Sequence, residues 1–271
     1  MRAPRLALVL VLVGVAASSL PLAKKTRTDL AEAGAPARLQ IAAASDLRFA
    51  LEEIARVFEQ QTRVQVRSTF GSSGQLAAQI EQGAPFDAFF SADEDLVRTL
   101  ARKALIHPDT VRLYAIGRIV LWVRAASPLD LTKGLGALLE TRVRFVAIAN
   151  PQHAPYGQAA VDALRAAGLY DRVRAKLVLG ENITQTLQWV QTGNADAGVV
   201  ALSLAIGPTI RASGRYWIIP DSLHRPIRQA AGVVSSTREP QAARALLAFV
   251  NGPAGRRIMR RYGFQFPGEE R

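Results

Sequence analysis

The strongest constraint on the fold is one local plan that occurs three times between residues 39 and 104. Each time, an apolar strand pattern runs into a short polar corner and is followed by an amphipathic helix pattern; the strands are 39–44, 64–70 and 86–91. Alternation of this kind predicts an α/β fold with a parallel sheet and helices on both faces. Ligands of such sheets bind at the carboxyl ends of the strands.

The second corner, Gly71-Ser72-Ser73-Gly74, shows what such a position offers to a ligand. The glycines allow close backbone approach, and Ser72 or Ser73 can cap the helix that follows. Free N–H groups, hydroxyls and the positive end of the helix dipole together favour an anion. Taken alone, the same corner is more typical of an ordinary helix cap than of an anion site.

Two long apolar stretches, 113–123 and 226–234, separate this unit from a second series of strands and helices. We therefore expect two lobes joined by two crossing strands, with a ligand cleft that closes by a hinge motion. The expected boundaries are a first lobe of residues 39–119 and 230–266 and a second lobe of residues 120–229.

Four corners, two in each lobe, lie where a helix is predicted to begin: Ser45-Asp46, Ser72-Ser73, Pro155-Tyr156-Gly157 and Asn182-Ile183-Thr184. Closure of the cleft would bring these helix starts to one small volume. A buried dianion is costly unless nearly every oxygen accepts a hydrogen bond, so many fixed neutral donors suit a small oxyanion.

Three residues at these corners need separate assignments. The Asp46 carboxylate would repel an anion, so its backbone N–H is assigned to the ligand and its side chain to capping its own helix. Tyr156 either donates its hydroxyl or backbone N–H, or forms the cleft wall. Ile183 offers only its backbone N–H and bulk. His153 is interpreted as a structural hydrogen-bonding residue rather than as a base.

The N-terminus predicts export. Arg2 and Arg5 precede an apolar run, 6–20, that ends in Pro21-Leu22-Ala23, which is typical of a secretory signal peptide over residues 1–23. An uncleaved membrane anchor is the alternative. Residues 24–38 are expected to form a flexible tether.

Composition excludes several classes of function. The chain contains no cysteine, which excludes disulfides, thiolate metal sites and a cysteine nucleophile. The net charge of +12 comes from scattered arginines without interleaved exposed aromatics, so nucleic-acid binding is not expected. No cofactor and no directly bound metal cation are predicted.

Several ordered motifs resemble those of the periplasmic molybdate-binding proteins of bacterial ABC importers, from about Leu39 to Phe266. They are Ala42-Ala43-Ala44-Ser45-Asp46-Leu47, Phe70-Gly71-Ser72-Ser73-Gly74, Gly83-Ala84-Pro85-Phe86-Asp87, Ser91-Ala92-Asp93, Asn150-Pro151-Gln152-His153-Ala154-Pro155-Tyr156-Gly157 and Arg261-Tyr262-Gly263-Phe264.

The resemblance implies a two-lobed type II periplasmic-binding-protein fold. It also implies a periplasmic monomer that captures molybdate, and usually tungstate, and delivers it to an ABC transporter membrane permease. By motif position, the family's oxyanion contacts fall on Ser45, the Asp46 backbone, Ser73, Tyr156 and the Ile183 backbone. Some members use a tyrosine after a strand of the second lobe, where this chain has Ala201. The chain is similar to a branch that has its tyrosine at the position of Tyr156.

Three alternatives remain. The closest is a binding protein for sulfate, phosphate or a small organic acid. A secreted serine hydrolase would use Ser73 or Ser45 with His153 and an aspartate, but the sequence has no G-x-S-x-G elbow. The effector lobes of a transcription regulator would need a helix-turn-helix where the signal peptide is predicted.

Overall fold

The computed structural model describes residues 37–269. The predicted signal peptide (1–23), most of the predicted tether (24–38) and the last residues of the predicted C-terminal tail (267–271) lie outside this range. Among the described residues, no helix is both long and apolar enough to cross a membrane.

Within residues 37–269, ten strands form two five-stranded sheets. The strands are β1 (Arg38–Ala44), β2 (Gln65–Gly71), β3 (Ala88–Ser91), β4 (Arg112–Gly117), β5 (Ile119–Arg124), β6 (Val146–Ala149), β7 (Leu177–Gly180), β8 (Ala197–Ala201), β9 (Gly214–Ile218) and β10 (Ile227–Val233). The first sheet has the order β2-β1-β3-β10-β4 and the second has the order β7-β6-β8-β5-β9.

Helices cover both sheets. The α-helices are α1 (Arg48–Thr62), α2 (Ser73–Glu81), α3 (Glu94–Arg102), α4 (Pro155–Ala166), α5 (Tyr170–Val173), α6 (Ile183–Gln191), α7 (Leu202–Ala205), α8 (Pro240–Asn251) and α9 (Pro253–Arg261). The 3-10 helices are Ser45–Leu47, Pro108–Thr110, Leu131–Leu139, Arg174–Lys176 and Asp221–Leu223.

Each sheet defines one lobe, which confirms the predicted two-lobed α/β fold. The parallel sheet predicted from residues 39–104 is confirmed, and each sheet also contains antiparallel strands that were not predicted. Strands β1, β2 and β3 are parallel, but β10 runs antiparallel to β3 and β4, and β5 runs antiparallel to β8 and β9. The antiparallel strands are the ones that enter each sheet from the other lobe, so their direction is set by the crossing.

The two lobes are joined by the two predicted crossings. Only Arg118 separates β4 in the first sheet from β5 in the second, and residues 219–226 connect β9 back to β10. Ile119 already pairs in the second sheet and Ile227 in the first. The residue boundaries of the lobes stay a prediction.

Burial explains why the strands are apolar on both faces. The four residues of β3 and the four of β6 are all buried, because helices cover both sides of their sheets. In the first lobe, α1, α8 and α9 pack on one face of the sheet, and α2 and α3 pack on the other. The carboxyl ends of β1, β2, β6 and β7 lead into the helices that meet between the lobes.

Candidate functional site

One small cavity between the lobes collects all five residues that the sequence predicted for the site. Its lining residues are Ala44, Ser45, Asp46, Gly71, Ser72, Ser73, Ala92, Ala154, Pro155, Tyr156 and Ile183. The free volume of this cavity is about 10 Å³, which is close to the minimum that holds one water molecule. None of these lining residues is lysine, arginine or histidine, so the hydrogen-bond donors around the cavity are neutral.

Helices α2 and α6 begin at the cavity with unused backbone donors. At α6, Asn182 Oδ1 accepts from the N–H groups of Thr184 and Gln185, which leaves the Ile183 N–H outside the cap. At α2, Ser72 occupies the cap position but its side chain caps nothing, and of the first N–H groups that of Gly74 bonds to His153 O. These helix starts therefore present N–H groups, with the positive end of the helix dipole behind them.

Helix α4 and the 3-10 helix Ser45–Leu47 begin at the same cavity. Pro155 is the first residue of α4 and has no N–H, and the N–H groups of Gly157 and Gln158 both bond to Ala154 O. The Tyr156 N–H is not used in that turn. The structure thus brings two helix starts from each lobe together, as the four corners predicted.

Two serines in the cavity wall are held in place by hydrogen bonds. Ser73 is buried, and its Oγ accepts a hydrogen bond from the Ala92 N–H at 2.9 Å, so its own proton remains available for another acceptor. Ser45 is also buried, and its carbonyl oxygen accepts from Thr184 Oγ1 of the second lobe at 3.2 Å. Both serines are held in place by bonds that do not consume their hydroxyl protons.

The Asp46 side chain makes contacts that the sequence did not predict. Its Oδ2 accepts hydrogen bonds from the Tyr156 hydroxyl and from Gln229 Nε2, both at 2.8 Å, and Gln229 Nε2 also donates to the Tyr156 oxygen at 2.9 Å. The expectation that Asp46 caps its own helix is wrong, because neither the 3-10 helix nor α1 has a side-chain cap. Tyr156, on the other lobe, donates a hydrogen bond to Asp46 Oδ2 instead.

A second tyrosine extends this network into the first lobe. The Tyr114 hydroxyl donates to Gln229 Oε1 at 2.8 Å and lies 3.2 Å from Ser91 O. Gln229 is fully buried on β10, next to a register shift in its pairing with β4. Gln229 was not predicted as a site residue, and a glutamine within an apolar strand pattern is the sequence signal for it.

Burial controls the protonation of these groups. Burial raises the pKa of the Asp46 carboxyl from 3.8 to about 6, although the hydrogen bonds from Gln229 and Tyr156, and the nearby backbone N–H groups of Asp46 and Leu47, oppose this change. Burial, together with the nearby Asp46 charge, raises the pKa of the Tyr156 hydroxyl well above its ordinary value. Tyr156 is therefore a hydrogen-bond donor at neutral pH, and its proton is committed to Asp46.

The tyrosine hydroxyl is packed against the first crossing. A Cβ atom placed on Gly117 would clash with the Tyr156 hydroxyl oxygen and would lie 2.7 Å from Gln229 Nε2. Glycine at this position lets the crossing approach the network closely.

The lobes are in contact at the mouth of the cavity. The Gly74 N–H donates to His153 O at 2.9 Å, and Gln75 Nε2 donates to Glu181 Oε2 at 2.7 Å. His153 Nδ1 lies 2.8 Å from Ser72 Oγ, and its Nε2 lies 3.7 Å from Glu181 Oε2. These contacts describe a closed arrangement of the lobes.

The histidine does not contact either serine that a hydrolase was expected to use. Its partner is Ser72, whose hydroxyl donates to Gln75 Oε1 at 3.0 Å. Because that proton is already committed, His153 acts as a donor to Ser72 and not as a base that activates it. This is the structural role predicted for His153.

A larger cleft lies beside the cavity and shares Ala92 and Pro155 with it. Its volume is about 500 Å³, and its walls carry three consecutive acidic residues, 93–95. The arginines in its walls are paired: Arg225 with Asp162 at 3.1 Å and Arg228 with Glu94 at 2.9 Å. Its walls are acidic or charge-paired, which makes it a poorer site for an anion than the small cavity.

Two α/β lobes that close over a cavity between them are the architecture of a solute-binding protein. The chain belongs to the bacterial extracellular solute-binding protein family, whose sequence profile matches residues 39–265. Ala201, which stands where some molybdate-binding proteins have a tyrosine, is fully buried at the end of β8 and is not among the lining residues of the cavity.

Curated relatives and solved structures agree with this assignment. The chain is 38% identical over 213 residues to the molybdate-binding protein ModA of Rhodobacter capsulatus, covering 79% of this chain and 82% of the relative. It is 36% identical over 236 residues to the ModA protein of Azotobacter vinelandii, covering 87% and 92%.

The solved periplasmic molybdate-binding protein of Azotobacter vinelandii superposes with a TM-score of 0.80 at 34% identity, covering 84% of this chain and 99% of that chain. The sulfate-binding protein SubI of Mycobacterium tuberculosis has a TM-score of 0.69 at 17% identity, covering 86% of this chain and 88% of that chain, which is a likeness of fold.

Proposed function

We propose that this chain is an exported solute-binding protein that captures molybdate, and also tungstate, and delivers it to the membrane permease of an ABC importer. The observation that carries the proposal is the convergence of four helix starts, two from each lobe, on one small cavity. The names of its relatives at 36–38% identity supply the ion.

The donors we assign are all neutral. Ser45 and Ser73 contribute hydroxyls, and Asp46, Tyr156 and Ile183 contribute backbone N–H groups. Fixed neutral donors suit a tetrahedral dianion, since they hydrogen-bond each oxygen without placing a free cation in a closed space. The Tyr156 hydroxyl is engaged with Asp46, so its contribution to the anion is the N–H, and its ring forms part of the wall.

Binding requires motion of the lobes. A tetrahedral oxyanion is larger than the single water molecule that the closed cavity would hold. The lobes therefore open at the two crossings to admit the ion and close over it, and the permease receives the closed, loaded form. Export through the N-terminal segment 1–23, action in the periplasm and a monomeric state belong to the same proposal. No reaction is catalysed.

Calorimetric titration of the purified protein with molybdate, tungstate, sulfate and phosphate tests this function. We expect tight binding of molybdate and tungstate, and a molybdate affinity that excess sulfate leaves unchanged. Saturation by sulfate or phosphate alone would instead make the chain a receptor for one of those anions.

A further inference from the structure

The Asp46 carboxyl is the unusual member of the cavity wall. It is 1% exposed, and its two oxygens differ: Oδ2 accepts two hydrogen bonds, whereas Oδ1 is buried without a hydrogen-bond partner among residues 37–269. Among the side-chain atoms of the described lining residues, Oδ1 is the one that is both buried and unpartnered. A buried oxygen without a hydrogen bond lowers the stability of the folded protein, so its presence in the cavity wall needs an explanation.

The charge of Asp46 conflicts with the ligand. An ionised carboxylate beside a bound dianion would place three negative charges in one closed space, where the effective dielectric constant is low. None of the described lining residues carries a positive charge to offset them. A buried group in this position changes its protonation state in preference to remaining charged.

The charged groups on the helices and the strand around Asp46 have other partners, whereas Arg118 on the first crossing has a buried Nε without a hydrogen-bond partner among residues 37–269. On α1, Arg48 lies over the Phe70 ring and pairs with Glu52. Helices α6 and α7, which also pack against the 3-10 helix, contain no charged residue.

The same holds on α4 and β10, the elements that bring Tyr156 and Gln229 to Asp46. On α4, Asp162 pairs with Arg225 and Arg165 stacks on a tyrosine ring. On β10, Arg228 pairs with Glu94. Two titratable side chains are linked to Asp46 by hydrogen bonds: Tyr156 directly, and Tyr114 through Gln229. His153, at the mouth of the cavity, bonds Ser72.

We propose that the Asp46 side chain is a proton-carrying part of the binding site: one proton from solvent attaches to Oδ1 each time an oxyanion dianion binds. The inference rests on the proposed function and adds to it a role for the carboxyl itself. Oδ2 keeps its two hydrogen bonds, Oδ1 becomes an O–H donor, and the closed site then holds the two charges of the anion instead of three.

This proton also contributes to selectivity. A carboxylic acid bonds more strongly to a basic oxygen than to a weakly basic one, and molybdate is the conjugate base of a much weaker acid than hydrogen sulfate. Neutral Asp46 therefore favours molybdate over sulfate on chemical grounds, in addition to any difference in size.

The direction of the pH dependence follows from linkage. In the closed arrangement, burial already raises the pKa of Asp46 to about 6 without an anion, and a dianion raises it further. Between these two pKa values the bound form holds one proton more than the free form. Molybdate affinity should thus fall as pH rises above about 6, approaching tenfold per pH unit.

Proton uptake is measured by titrating molybdate into the protein at about pH 7.5 in buffers with different ionisation enthalpies. The wild type should take up close to one proton per ion bound. In Asp46→Asn, the amide oxygen can accept from Tyr156 and Gln229 while its NH₂ replaces the protonated oxygen. This variant should take up close to none, and its Kd should change less than about twofold between pH 7 and pH 8.

The control is His153→Gln, which removes the other titratable group near the cavity and should retain the uptake. Tight molybdate binding by the wild type without proton uptake overturns this inference and leaves the proposed function standing. Uptake that persists in Asp46→Asn, or disappears in His153→Gln, assigns the proton elsewhere and also overturns it. Failure of the wild type to bind molybdate at all overturns the proposed function. If Asp46→Asn does not fold, the wild type and His153→Gln still test the inference, because a lack of uptake in either overturns it.

Discussion

The Tyr156 hydroxyl of the second lobe donates a hydrogen bond to Asp46 Oδ2 of the first lobe at 2.8 Å, and both side chains are buried. Gln229, on a strand that has just crossed between the lobes, bonds to both of them. This three-membered network joins the two lobes and one crossing strand at the wall of the candidate site.

Tyr156→Phe should destabilise the protein, because it removes a buried donor and leaves the Asp46 carboxylate one hydrogen bond short. The expected loss in the free energy of unfolding is about 1–3 kcal/mol. Urea denaturation at neutral pH measures it. Tyr216, which is 41% exposed, supplies the matched control: Tyr216→Phe should change stability by less than about 0.5 kcal/mol. Equal stabilities of the two variants would contradict the role of the network.

Ser73→Ala should weaken molybdate binding by about 1–3 kcal/mol, since a bound oxygen would lose a donor whose position is fixed by the Ala92 N–H. Calorimetry gives the affinity directly. Ser235→Ala, at an exposed position outside the cavity, should bind as the wild type does. An unchanged affinity of Ser73→Ala would remove Ser73 from the binding residues.

Asp46→Asn should stabilise the ligand-free protein increasingly as pH rises. The pKa of Asp46 is raised from 3.8 to about 6 on folding, so its carboxyl favours the folded state below about pH 4, and this contribution is lost as pH rises through about 6. Relative to the wild type, the variant should gain about 2–3 kcal/mol between pH 4 and pH 7.5. Denaturation at the two pH values measures the gain. A stability difference that does not vary with pH would show that Asp46 titrates normally.

Gln75→Ala should speed the release of the ion, because Gln75 Nε2 bonds to Glu181 across the mouth of the closed cleft. The bond is exposed, so we expect a loss of about 1 kcal/mol, or about fivefold in the dissociation rate constant. Stopped-flow release measures it. Gln79→Ala, on the exposed side of the same helix, is the control and should release at the wild-type rate. Identical rates for the two variants would mean that this contact does not hold the closed form.

Much of the fold could be predicted because its signals are local. Alternation of apolar strands, polar corners and amphipathic helices indicated both lobes, and the two long apolar stretches indicated the crossings. The half-exposed edge strand β9 was not predicted. The stretch 113–123 was predicted as one continuous strand, whereas Arg118 divides it into β4 and β5. The antiparallel direction of β5 and β10 depends on which strands they meet, and no local pattern encodes that.

The same distinction holds in the site. The helix starts could be predicted from serine, glycine and proline at strand ends, since capping and dipole effects act within a few residues. The partners of Asp46 could not, because Tyr156 is 110 residues away and Gln229 is 183 residues away. Because of these long-range contacts, the Asp46 side chain accepts a hydrogen bond from Tyr156 and does not cap its own helix.

The most direct test of the account is a crystal structure of the protein with molybdate, with the molybdenum located by its anomalous scattering. We predict one strong peak in the cavity between the four helix starts, with anion oxygens about 2.7–3.2 Å from the hydroxyls of Ser45 and Ser73 and from the N–H groups of Asp46, Tyr156 and Ile183. A peak in the larger cleft lined by residues 93–95, or no ordered molybdenum between the lobes, would contradict the account.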